Sequence, residues 1–278
     1  MKIATLNMQG QLIEQIRGMR IQKSLKEQLV QSIIDKQIDG LIGCLNKYQI
    51  DIMACQEINH KYRDDYKNRL DVAGYKLLYN EKEYSTRVYT TVGFIVNKEC
   101  NIDVEGNSIF NGVGQTNKYY EIKFTKYNLS LVTVHINPKE RETCLDVIDS
   151  VNEETANGNN TNRNIILLGD FNAAGKEHRE KFAKQNVMEE NEKFLKKISE
   201  KGYIEIGDAK NYTYITANFK NKIDHIYFSH DLNKYLEDKR TSITEHLVNE
   251  VEHSSENGWG FCDHNMLWFD IDIADLKS

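Results

Sequence analysis

Asn164-Ile165-Ile166-Leu167-Leu168-Gly169-Asp170-Phe171-Asn172 is the stretch that decides the fold. Its apolar run reads as a buried strand, and the strand ends in a glycine, an acid and an amide. Such an ending delivers side chains to the mouth of a sheet, where an aspartate can take a proton from water. Asn172, two residues beyond Asp170, points the same way. Four further segments repeat the pattern. Lys2 to Asn7 is an amino-terminal strand broken at Gly10, and Ile50 to Glu57 is a strand delivering Glu57. Leu129 to His135 brings up His135 just before Pro138, the chain's one proline. The last comes in two parts, Ile223-Asp224-His225-Ile226-Tyr227-Phe228 and Asp263-His264 entering the strand Met266 to Phe269.

Each residue has an ordinary alternative. Asn7 before Gly10 could start a turn, Glu57 could be a solvated acid, His135 could be a satisfied structural histidine, and Asp263-His264 could be a polar turn. All of these would have to hold together for the functional reading to fail. Asn7, Glu57, His135, Asp170, Asn172, Asp224, Asp263 and His264 form a set of carboxylates, amides and imidazoles that suits a hard divalent cation better than zinc.

The order and identity of these segments resemble the endonuclease/exonuclease/phosphatase superfamily, the deoxyribonuclease I-like enzymes, with the match running from Asn7 to His264. Within it the motifs look closest to deoxyribonuclease I and the nuclease subunit of cytolethal distending toxins. Abasic-site repair is disfavoured, because Gln56-Glu57-Ile58-Asn59 departs from the Gln-Glu-Thr-Lys of such enzymes. Inositol polyphosphate 5-phosphatases are disfavoured by Lys222-Ile223-Asp224-His225.

The resemblance implies roles. Glu57 would be the principal magnesium or manganese ligand, with Asn7 and Asp263 beside it. Asp170 would orient or deprotonate the attacking water, and Asn172 would hold a phosphate oxygen. His264, oriented and charged by Asp224, would contact the scissile phosphate. His135 would be a second phosphate or leaving-group histidine, although no acidic partner for it stands near Thr90 and Thr91. Arg87 and Tyr89, in Tyr84 to Tyr89, would contact the substrate backbone, the alternative being a strand-edge surface patch. The expected reaction is hydrolysis of DNA phosphodiesters by in-line attack of water, leaving a 3′-hydroxyl and a 5′-phosphate. RNA, a lipid head group or a small phosphoester are the alternative substrates, and a non-catalytic binding module is the third class.

Composition agrees with an ordinary soluble enzyme: 278 residues, 40% hydrophobic and 28% charged, enough for a large core. The continuous motif order favours one domain over residues 1–278. The net charge of -6 argues against strong non-specific binding of a polyanion over the whole surface, but leaves room for local Lys and Arg to track a phosphate backbone. Cys44, Cys55, Cys100, Cys144 and Cys262 are odd in number and lack CxxC spacing. With no apolar leader before Lys2 and no stretch approaching a membrane span, a cytoplasmic, monomeric protein is expected.

Periodicity predicts an α/β architecture. Apolar positions from Leu25 to Tyr48 recur at helical spacing, with Gly40 and Gly43 weakening the last turns. Glu142 to Asn152 and Glu189 to Lys201 read as further helices, the latter stopped at Gly202. Tyr75 to Tyr79, Val92 to Asn97, Tyr119 to Phe124 and Leu129 to His135 read as strands. Two facing sheets covered by helices follow from that inventory, and the resemblance implies a four-layer α/β sandwich of two packed mixed sheets flanked by helices. Gln11 to Lys23 reads as a loop and a substrate-side lid carrying Arg17, Arg20 and Lys23. Asn157 to Asn162 and His246 to Gly260 read as polar surface segments.

Overall fold

A computed structural model describes residues 1–80, 90–100, 104–107, 117–124, 126–157, 164–178, 185–215, 220–238, 244–248, 262–274 and 276. In chain order it runs β1 (Lys2–Asn7), α1 (Gln11–Gly18), α2 (Lys23–Tyr48), β2 (Ile52–Asn59), α3 (Arg63–Val72), β3 (Tyr75–Tyr79), β4 (Thr90–Asn97), β5 (Val104–Asn107), β6 (Tyr119–Phe124) and β7 (Leu129–His135). It continues with α4 (Arg141–Asn157), β8 (Asn164–Asp170), α5 (Gln185–Glu200), β9 (Tyr203–Glu205), β10 (Tyr214–Ile215), β11 (Lys220–Asn221), β12 (Asp224–Ser229), α6 (His230–Asp238), β13 (His246–Val248) and β14 (Met266–Asp270).

Two six-stranded sheets result, ordered β13-β14-β1-β2-β4-β3 and β5-β6-β7-β8-β12-β9. Both are mixed: β1 runs parallel to β2 and antiparallel to β14, and β8 runs parallel to β7 and antiparallel to β12. Their facing sides meet in one apolar cluster to which Ile3, Phe94 and Phe269 come from the first sheet and Leu131, Leu168 and Phe228 from the second. Apolar residues point alternately to this interior and outward, so strands such as β8 are buried on both faces and read as continuous apolar runs. The outer face of the first sheet packs on α2 through Ile34, Ile38, Leu41 and Leu45. The outer face of the second packs on α4 and α5 through Ile148, Val151, Phe194 and Ile198. This is the expected four-layer α/β sandwich.

The helix expected from Leu25 starts at Lys23 and runs unbroken past Gly40 and Gly43. The expected loop from Gln11 to Lys23 is a correction: Gln11–Gly18 is α1, and Lys23 already belongs to α2. Ile13 and Ile16 are buried beneath α1, which is too short for its period to stand out between Gly10 and Gly18. Arg17 is accordingly no lid cation. Its guanidinium donates to Glu14 at 3.3 Å and to the Tyr62 hydroxyl at 2.6 Å. The strand read as ending at Glu57 continues to Asn59. His246–Val248 is not loop but the edge strand β13, paired with β14. Arg87, Tyr89 and the remainder of both polar segments, 158–162 and 249–260, lie outside the described residues.

Gly169 is the tightest backbone contact on the way to the site. It has φ +141°, and a Cβ there would lie 2.1 Å from the Val134 carbonyl oxygen on β7. Gly169→Ala is therefore expected to cost more than about 2 kcal/mol, since a strained φ and a clash with fixed backbone add. An unchanged urea midpoint would show that the β7–β8 pair has room to spread.

Candidate active site

Three neighbouring strand ends define the floor. Asp170 closes β8, aligned in register with His135 closing β7 on one side and with Asp224 opening β12 on the other. From the facing sheet, Asn7 at the end of β1 donates its amide N–H to Asp170 Oδ2 at 2.9 Å. The two sheets are also tied beneath the site, where the Gln56 amide donates to Thr133 Oγ1 at 2.9 Å.

Glu57 reaches the site by a local distortion. The β2–β4 register shifts between Cys55 and Ile58, and Glu57 has φ +55°. A bulge of this kind re-aims a side chain, and a non-glycine residue at positive φ is held only where surrounding packing enforces it. Gly10 is part of that packing, since a Cβ on it would stand 1.9 Å from the Glu57 carbonyl oxygen. Asn172 is likewise left-handed, φ +46°, and its backbone N–H donates to Asp170 Oδ1 at 2.8 Å.

The eight residues singled out in the sequence come together. Asn7, Glu57, His135, Asp170, Asn172, Asp263 and His264 line one cavity of about 360 Å³. Asp224 sits behind it, 2.8 Å from His264 Nδ1 through its Oδ2. Asn7 spends its amide N–H on Asp170 and accepts the Gln9 N–H at Oδ1, so it ties the Asp170 carboxyl in place as much as it offers an oxygen. Lys118 and Tyr214 also line the cavity. Tyr214, unread in the sequence, bridges to His264 through the backbone and places its ring 5.1 Å from the imidazole. Lys118 brings a cation to this cavity, whereas Lys23 is 90% exposed and pairs with Glu27 on α2.

Electrostatics separate the two histidines. Burial would lower His264, but Asp224, through charge and hydrogen bond, with help from Asp170 and Asp263, raises it to about 10. His264 is thus an imidazolium at neutral pH. His135 goes the other way: burial, then the Lys118 ammonium, push it well below its ordinary value. Lys118 Nζ lies 3.1 Å from His135 Nδ1, and an ammonium can only donate, so Nδ1 accepts and Nε2 carries the proton. That N–H points between Glu57 Oε1 at 3.4 Å and Asp170 Oδ2 at 3.8 Å. The group against His135 Nδ1 is thus a cation and not a carboxylate.

The donor set fits a hard divalent cation. Glu57, Asp170, Asp224 and Asp263 crowd four carboxylates around His264 and Lys118. Burial and Asp224 push Asp170 up to about 7, and burial raises Asp263. Burial of several carboxylates close together disfavours their charged forms, a cost that a divalent cation would offset. Asp224 Oδ1 is also buried without a hydrogen-bond partner among the described residues. Asp170, Asp224 and His264 are close enough to share an ion, but His264 Nδ1 and Asp224 Oδ2 are already spent on each other at 2.8 Å. Glu57 and Asp263, which line the same cavity, could offer carboxylate oxygens to a cation.

Solved structures share the fold. The endonuclease domain of TRAS1, a telomere-specific non-LTR retrotransposon, is 15% identical over 99% of both chains with a TM-score of 0.63. An AP endonuclease from Archaeoglobus fulgidus is 13% identical over 98% of this chain and 100% of that one, TM-score 0.65. The 3′-5′ exonuclease NExo from Neisseria meningitidis is 14% identical over 98% and 100%, TM-score 0.60. At these identities the likeness is one of fold. No curated protein matches in sequence. Residues 4–236 match the model of the Endonuclease/Exonuclease/phosphatase family, and the chain belongs to that family.

Proposed function

We propose that this chain is a magnesium- or manganese-dependent phosphodiesterase whose substrate is DNA, cut internally by in-line attack of water. The observation that carries the reading is Asp170 held between two strand-end partners and opposite a charged His264–Asp224 pair, all facing one polar cavity. A cation held by Glu57 and Asp263, with Asn7 alongside, would neutralise charge on the phosphate and the leaving oxygen. Asp170, fixed by Asn7 and the Asn172 N–H, takes the proton of the attacking water. The Asn172 amide donates one N–H to Asp170 Oδ2 at 3.2 Å and offers its other N–H to a phosphate oxygen, and the His264 imidazolium stabilises the extra negative charge of the pentavalent transition state. His135, neutral and proton-bearing at Nε2, contacts the phosphate rather than supplying the leaving-group proton. Arg87 and Tyr89 remain candidates for the substrate backbone. DNA is favoured because Lys118 brings a cation into the cavity and because relatives of this fold act on it: NExo from Neisseria has been solved with a product DNA hairpin.

A lipid head group or small phosphoester is the second reading. Met19, Leu25 and Leu29 are exposed apolar residues around the α1–α2 junction, and Leu12 of α1 lines the cavity. Nicking of supercoiled plasmid in magnesium, repeated with EDTA and with Asp170→Asn, decides between them. Nicking that requires both the metal and Asp170 is expected. Intact plasmid beside calorimetric metal binding would transfer the proposal to RNA or a small phosphoester. No helix among the described residues is long and apolar enough to cross a membrane.

A further inference from the structure

Asp224 and His225 are consecutive on β12, so they point to opposite faces of the second sheet. Asp224 serves His264. His225, fully buried, faces the outer helical layer and the turn that carries Asn172. Its Nε2 donates to the Ala173 carbonyl oxygen at 2.7 Å, and its Nδ1 lies 2.8 Å from Glu205 Oε1 on β9. Both neighbours are acceptors. Burial would raise the Glu205 carboxyl, but His225, Lys222 and His178 hold it below the ordinary range, so it is a carboxylate. The ring must therefore donate from both nitrogens.

A metal does not explain this cluster. His178, Glu205 and His225 are close enough to share one, and a cavity of about 630 Å³ opens on His178 and Glu205. But His225 spends both ring nitrogens on the Ala173 carbonyl and Glu205, and His178 Nδ1 accepts the Gly175 N–H at 3.2 Å. The Lys222 ammonium stands 3.1 Å from the same Glu205 oxygen and 3.2 Å from Glu245. The charges are already matched.

What the cluster grips is the catalytic turn. Besides the Ala173 carbonyl, the Lys222 N–H donates to the His178 carbonyl at 2.9 Å and the Phe171 N–H to the Ile223 carbonyl at 3.0 Å. The Phe171 ring meets His225 edge-on at 5.6 Å. On its other flank the turn is held by Arg141, which donates to the Asn172 carbonyl at 3.3 Å. Between these anchors Asn172 keeps its left-handed φ of +46°. A strained residue at a site persists only when its surroundings over-determine it.

We propose that His225 is a positioning residue for phosphoester hydrolysis: as a charged bridge from Glu205 to the Ala173 carbonyl, it holds the turn in which Asn172 meets the phosphate. This rests on the hydrolase reading. The test is a double-mutant cycle in magnesium with bis(p-nitrophenyl) phosphate, a probe that needs no DNA recognition. His225→Leu, which keeps bulk without a donor, should lower kcat roughly 10- to 100-fold. The same change in an Asn172→Ala background should cost less than about threefold, because the group it positions is gone. An equal cost in both backgrounds, or none in the first, overturns the proposal. His225→Gln, which retains an amide donor for Ala173, should recover part of kcat if the leucine variant folds poorly. Nitrogen-15 spectra of the wild-type ring read the bridge without turnover: two protonated nitrogens are expected, and one would overturn it. A protein inert on both the probe and plasmid, yet showing a doubly protonated ring, would instead sink the hydrolase reading.

Discussion

Asp170→Asn is expected to reduce magnesium-dependent turnover by on the order of 100-fold or more, the usual contribution of a positioned general base. The fold should survive, because Asp170 closes β8 and an amide of the same shape still accepts one of its hydrogen bonds. Metal binding should survive too, since Glu57 and Asp263 are untouched. A stability signature distinguishes this from general damage. Burial and Asp224 raise Asp170 to about 7 in the folded chain, above its ordinary 3.8. The native state thus binds this proton more tightly than the unfolded chain does. Stability is full below the unfolded value and is lost as pH rises through the folded one. Ionised Asp170 then costs up to a few kcal/mol at pH 8, discounted by the hydrogen bonds it accepts. Measured in EDTA, Asp170→Asn should melt at or above the wild-type temperature at pH 8, with the gap closing towards pH 5. Near-wild-type turnover would remove Asp170 as the base, and a lower melting temperature at pH 8 would mean its carboxylate is stabilising.

Much of this site was legible because strand ends advertise themselves. Gly169-Asp170-Phe171-Asn172 follows an apolar run too short for a helix and ends where a sheet must present polar groups. The same reasoning placed Asn7, His135 and Asp224, and the structure brings all of them to one end of two packed sheets. What sequence hid is geometry that periodicity does not encode. Glu57 was read as terminating its strand, but β2 runs on to Asn59 and a bulge turns the residue inward. No pattern of residue types announces a glutamate at φ +55°. Lys118 is near the end of β7 only because β6 folds back beside it, so the cation on His135 could not be read from either segment alone. Tyr214 sits on a two-stranded ribbon of four residues, below the length at which a strand has a signature. The His225 bridge was hidden for a different reason: it lies on the back of the strand whose front carries the motif.

His264→Ala should cost on the order of 100-fold or more in kcat/KM, because a charge aimed at a developing negative phosphorane is worth most where water is excluded. His264 is 5% exposed and its Nδ1 is locked to Asp224, so the ring is pre-oriented and pre-charged. A loss of tenfold or less would make it a structural histidine packed on Tyr214. The pH profile supplies the finer discrimination. As an imidazolium raised to about 10, His264 is competent below that value and loses its charge as pH rises through it. Wild-type activity should therefore hold to pH 9. Asp224→Asn removes the largest charge opposing burial and leaves only Asp170 and Asp263 against it, so the histidine is lowered. The alkaline limb of kcat/KM should then move below pH 9. If the limb stays in place in Asp224→Asn, the carboxylate orients His264 without charging it, and the dyad acts through geometry alone.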